Sequence, residues 1–205
     1  TSQVDSIMGI NTGGGPVVRP VRGGRTPCLE GNPAAYLPAF AAAGYRYDAS
    51  PVRSLTKWPT LQGGIWRFGI PSIPTLDGGD PILAIDYNFL VRYGDDGSQA
   101  REDMIYRALL SAFESQYSGN RAPFEFVAHT TVMMGGAYYR ASERFLAQVC
   151  GRAEVRCGTY SEAVEWLDAH AAELPALQAG LFTGPIKPVP SGTTGAQAAL
   201  VNIAM

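Results

Sequence analysis

The stretch "SQAREDMIYRALLSAFESQYSGNRAPFEFVAH", residues 98–129, decides the fold, because it passes from helical to strand patterning within a single turn. Ser98 suits an N-cap, and Met104, Ile105, Ala108, Leu109, Ala112 and Phe113 fall on one face, which predicts a helix to about Ser118. Gly119 and Asn120 end it. "APFEFVAH" (122–129) then reads as a buried strand, closing on one of only two histidines in the chain.

The same alternation extends in both directions. Downstream, "AYYRASERFLAQVC" (137–150) places Tyr138, Ala141, Phe145 and Val149 on one helical face, and "EVRC" (154–157) is a brief strand. Thr159 and Glu162 form a capping box for the helix "SEAVEWLDAHAAE". Upstream, Asn32, Pro33 and Gly44 delimit a helix over "AAYLPAFAAA", with Pro38 as an internal strain point. "YRYDA" (45–49) and "IWRFGI" (65–70) read as strands, and "PILAIDYNFLVRY" (81–93) as a buried strand running into a loop. Helices alternating with strands predict an α/β fold with parallel strands. About five strands fall short of the roughly eight of a closed (β/α) barrel, so the expectation is part of a barrel or an open sheet.

Three segments follow from this: an extended arm over 1–24, an α/β domain over 25–175, and a Gly/Pro-rich arm over 176–205. The "TGGGP" stretch in the first arm has no following Lys-Ser/Thr and reads as a loop. "GDDG" (94–97), with Asp95 and Asp96, reads as a solvated turn capping the Ser98 helix.

Hydrophobic residues make up 46% and charged residues 17%, with net charge -2. Such a chain is globular and has no electrostatic footprint for a polyanion, so nucleic acid is not an expected partner. No apolar run is long enough for a transmembrane segment, and no leader precedes Thr1, so any export signal is expected to have been removed or never present. Cys150 and Cys157 bracket "CGRAEVRC", where a doubling-back chain brings two sulfurs into range. A disulfide there points to an oxidising compartment, the alternative being two buried thiols beside a helix end. Cys28 is left over, either buried or paired outside the chain.

"GGRTPCLEGN" (23–32), "GYRYDAS" (44–50), "IWRFGIPSIP" (65–74), "AIDYNF" (84–89), "NRAPFEFVAHT" (120–130) and "GGAYYRASERFLAQVCGRAEVRCGTYSEAVEWLD" (135–168) together resemble, in order, the later half of polysaccharide deacetylases of the NodB-like carbohydrate esterase family. The resemblance covers roughly residues 22–170. It implies a distorted (β/α) barrel that binds a divalent metal, usually zinc, through an early Asp and a His-x-x-x-His pair, with a neighbouring Asp as the base. Arg25 and Pro27 match the family's Arg-x-Pro motif, Cys28 standing where an aromatic is usual. Phe126 and His129 match its Leu-x-x-His motif, whose histidine protonates the leaving amine. Asp48 falls where a later motif's acidic residue lies.

The resemblance thus implies catalytic roles for His129, Arg25 and Asp48. Pro27, Phe126, Trp66 and Tyr87 are the candidate substrate-binding residues, although the aromatics Trp58, Trp66, Tyr87, Tyr138 and Tyr139 more often belong to a core. His170, in the last turn of a helix, reads as solvated. With no Thr-Phe-Asp-Asp motif ahead of Arg25 and no His-x-x-x-His pair, no metal ligand is assigned. Zinc or another divalent metal is expected only if a partner segment supplies ligands.

Two functions follow. One is hydrolysis of N-acetyl groups on an envelope or extracellular polysaccharide, completed by a metal-binding N-terminal half. The other is an inactive relative serving as a structural or glycan-binding subunit. Either places the chain outside the cell, in the periplasm or in the envelope. The open strand edge left by the missing half predicts a second polypeptide or a homo-oligomer across it.

Overall fold

A computed structural model describes residues 21–179 together with the backbone of 199–204. Most of the predicted arms, 1–20 and 180–198, therefore lie outside the described residues.

The strands form three short sheets joined by shared segments. In the first, β1 (Gly23–Gly24), β2 (Tyr47–Asp48) and β5 (Ile65–Arg67) run parallel, and β4 (Thr60–Gln62) pairs antiparallel with β5. In the second, β3 (Val52–Ser54) is parallel to β6 (Ile70–Ile73), whose other neighbour is antiparallel β7 (Ile82–Leu83). β2 leads into β3 and β5 into β6. The amides of Phe68 and Ile70 bond the carbonyls of Asp48 and Pro51 and carry the ladder across both breaks. A parallel bridge from Ile85 to Val127 connects to β8 (Phe124–Val127), and the third sheet has the order β8, β10 (Ala199–Ala204), β9 (Val155–Gly158), all parallel.

Gly23 has a steric reason to be glycine. A Cβ there would lie 2.5 Å from the Tyr47 ring on the neighbouring strand.

The helices form largely where their punctuation lies. Asn32 caps α1 (Pro33–Ala42), which accommodates Pro38, and Ser98 caps α3 (Gln99–Ser118) by accepting from Arg101 N–H. α4 (Ala137–Val149) packs along α3. Thr159 and Glu162 close the predicted capping box on α5 (Tyr160–Ala169). The α3–α4 pair covers β6–β8 and buries Ile105, Leu109, Phe113, Tyr138 and Phe145 in one core; Trp58, Trp66, Phe68, Tyr160 and Leu167 form a second.

Three expectations change. Residues 81–93 are not a buried strand running into a loop: after the two-residue β7 the chain turns at Ile85 into α2 (Asp86–Tyr93), whose Asp86 and Phe89 face inward. The boundary expected at 175 falls inside α6 (Leu174–Gln178), whose Leu177 is buried in the second core. His170 is buried rather than solvated, stacked on Trp166 at 4.3 Å with Nδ1 against the Trp166 carbonyl, because the helix end turns into the second core. Cys150 and Cys157 are joined, as the doubling-back of their loop predicts, and Cys28 is exposed.

Candidate functional site

The backbone places His129 before any side chain acts. Val127 N–H bonds the Ala84 carbonyl, so Ile85 and Asp86 run alongside Val127, Ala128 and His129. Asp86 opens α2, where the helix dipole favours a carboxylate, and it is 1% exposed.

That carboxylate holds His129 at two points. Asp86 Oδ2 accepts the His129 backbone N–H at 2.8 Å, and Oδ1 lies 2.6 Å from His129 Nδ1 while also accepting Tyr87 N–H at 2.7 Å. The Tyr139 hydroxyl donates to the His129 carbonyl from α4. Nδ1 facing the Asp86 carboxylate carries the ring hydrogen, so this contact assigns the ring's lone pair to Nε2. The His129 side chain remains 47% exposed, and no described residue hydrogen-bonds Nε2. Tyr87, itself 53% exposed, stands edge-on with ring centres 6.3 Å apart. Beneath, burial and the Asp86 charge push the Tyr138 hydroxyl well above the usual tyrosine range, keeping it neutral. The arrangement is a carboxylate-oriented imidazole that can take or give a proton at an accessible nitrogen.

Arg25 and Asp48 belong to two other networks. Arg25 donates from Nε to the Ala49 carbonyl at 2.6 Å and from Nη2 to the Tyr160 hydroxyl at 3.2 Å. Tyr160 donates in turn to Glu125 Oε2, and Glu125 Oε1 accepts from Arg53 and from Gly69 N–H. Burial pushes the Glu125 carboxyl up, opposed chiefly by the Arg53 charge. Asp48 is fully buried, with Oδ2 accepting from Arg67 and Tyr36 and Oδ1 from Ser50 N–H. No described contact joins Arg25 or Asp48 directly to His129.

Of the four substrate-binding candidates, Tyr87 flanks the histidine. Pro27 is exposed in the turn that also presents Cys28. Phe126 lies in the first core, and Trp66, 3% exposed, donates its indole N–H to Asp168 and packs in the second. Neither core aromatic offers a face to a sugar.

Sequence reasoning missed Asp86 and Tyr139. An acidic residue inside the apolar run "LAIDYNF" was the available signal, since an ionised side chain rarely sits there unless paired. In the "GDDG" turn Asp96 accepts from the N–H of Ser98, the residue that caps α3. Asp95 also accepts Met134 N–H at 2.7 Å and so pins the loop that follows His129.

Among the described residues no group of three His, Cys, Asp or Glu side chains is placed to hold a metal. Both Asp48 oxygens are already hydrogen-bonded, as are both of Asp86. The described residues do not fit a zinc centre. Compared with known protein families, curated proteins and solved structures, the chain has no match.

Proposed function

We propose that this chain is a polysaccharide deacetylase-like α/β domain of partial-barrel type, contributing the acid–base half of a site that cleaves N-acetyl groups from a polysaccharide. The observation carrying this reading is the His129–Asp86 pair: Nδ1 anchored to a buried carboxylate, Nε2 without a described partner, and Tyr87 exposed alongside. Cleaving an amide requires a proton for the departing nitrogen, and a protonated imidazole is matched to that role near neutral pH. Asp86 orients the ring, and Tyr87 supplies an aromatic surface for a sugar ring. The water-activating half, with any metal, would come from outside the described residues, in an extracellular, periplasmic or envelope setting.

A second reading is favoured by the fate of Arg25 and Asp48, both held within interior networks. On that reading the chain binds glycan without cleaving it. Titration of the full chain with N-acetylglucosamine oligomers, followed by the His129 and Tyr87 proton resonances, tests what the two share. Both signals are expected to move, and a chain whose signals stay fixed at saturating oligomer is neither. Acetate release, abolished by His129→Ala while binding persists, separates the enzyme from the binder.

A further inference from the structure

The third sheet has an unusual dependence on one strand. β8 pairs with β10 from Val201↔Phe124 to Ala204↔Val127, and β9 pairs with the same strand from Ala199↔Val155 to Asn202↔Gly158. On its other side β8 has only the single bridge to Ile85 among the described residues, and β9 ends the sheet. Without β10 the body would present two parallel edges facing each other across one strand's width, each with unpaired N–H and C=O groups.

Both edges are held by elements other than β10. Phe124 and Phe126 are fixed in the first core against Phe145 of α4. β9 is tied to the end of α4 by the Cys150–Cys157 disulfide and leads directly into the capped α5. The strand that fills the gap is joined to the body only after residues 180–198.

We infer that the slot between β8 and β9 is a strand-acceptor surface, and that the partner it fits is the segment 199–204 of a second copy of this chain. The segment, Ala-Leu-Val-Asn-Ile-Ala, is uncharged and rich in strand-forming residues. Its pairing is a backbone ladder on both sides, and such a ladder bonds an identical strand from another copy as well as its own. Tethering alone favours the chain's own strand, with an effective concentration on the order of millimolar. Two copies that exchange strands keep every ladder bond and close as a symmetric pair. The exchanged strand would end level with Val127, two residues before His129, so the partner would flank the candidate acid. The exchange does not require that histidine to be catalytic.

Light scattering of the full chain between roughly 10 µM and roughly 1 mM brackets the effective concentration of a tethered strand. A dimer fraction rising about tenfold across that range is expected from the same mass-action argument. Excess synthetic Ala-Leu-Val-Asn-Ile-Ala should dissolve the dimer, and its fluorescent form should gain anisotropy with the chain. Asn202→Pro, which removes a ladder N–H in mid-strand, should abolish the dimer. A chain monomeric at every concentration, or a dimer indifferent to the peptide, overturns the exchange. The peptide arm uses the unmutated chain, so it decides even where the proline variant fails to fold.

Discussion

At Asp86 a single carboxylate satisfies three N–H groups, those of His129 N, His129 Nδ1 and Tyr87 N. Asp86→Ala removes the two acceptor oxygens of all three donors at once. A donor left unsatisfied in a buried position costs about 1–3 kcal/mol, and solvent reaching the half-exposed ring offsets part of the loss. The variant should therefore lose about 2 kcal/mol in urea unfolding, and its His129 ring resonance should shift. A variant as stable as the parent, with that resonance unmoved, would show that the pair does not hold the histidine. His129 itself was legible from its place at the end of an apolar strand. Its partner was not, because Asp86 lies 43 residues away in sequence and only the Val127–Ala84 ladder bond brings the two segments together.

Among the elements, α1, α3, α4 and α5 were legible because each carries a chemical start signal or a clear apolar face. α2 was not. Its N-cap is Ile85, which offers no capping side chain, and a short apolar run cannot be told from a strand by periodicity alone. α5 makes the capping argument measurable. Backbone and side-chain hydrogen bonds from Thr159, with the Arg156 ion pair, hold the Glu162 carboxyl below its ordinary 4.5. The folded state therefore releases this proton at lower pH than the unfolded chain does. The resulting stability is present above about pH 4.5 and is lost as pH falls through the lowered folded value. Glu162→Gln should cost about 0.5 kcal/mol at pH 7, modest because the pair is solvent-screened. That cost should vanish in strong acid, where both proteins carry a neutral side chain; a cost unchanged by pH would contradict the assignment. The short Cys150–Cys157 loop is a second device at this scale, with seven residues of separation. Cys150→Ser with Cys157→Ser should lower stability by about 2.5 kcal/mol, read as a fall in thermal midpoint.

For the whole molecule, the α/β alternation was readable, but not the means by which its two apolar cores are joined. Glu125 does this from the middle of β8. Its neighbours Phe124 and Phe126 lie in the first core, while its carboxylate accepts from Tyr160 of the second core and from Arg53 on β3. No apolar pattern announces such a knot, because its members come from segments at 53, 125 and 160 that only the finished fold brings together. Burial raises the Glu125 carboxyl above 4.5, and the Arg53 charge opposes that rise. Because the unfolded chain gives up this proton at lower pH than the folded one, the carboxyl's contribution is full below about pH 4.5 and diminishes as pH climbs toward the folded value. Arg53→Ala removes the opposing charge and strands the carboxylate, a change that costs about 3–5 kcal/mol for a buried pair. The cost should be largest at pH 7–8 and markedly smaller near pH 4, where the orphaned carboxyl can stay protonated, as urea titrations at the two pH values would show. Arg53→Ala with Glu125→Gln should recover part of the loss at neutral pH, since the buried charge is then gone from both partners. A penalty equal at both pH values, or undiminished in the double variant, would mean that Arg53 acts through packing and its carbonyl bonds to Gly69 and Pro123 rather than through the Glu125 charge.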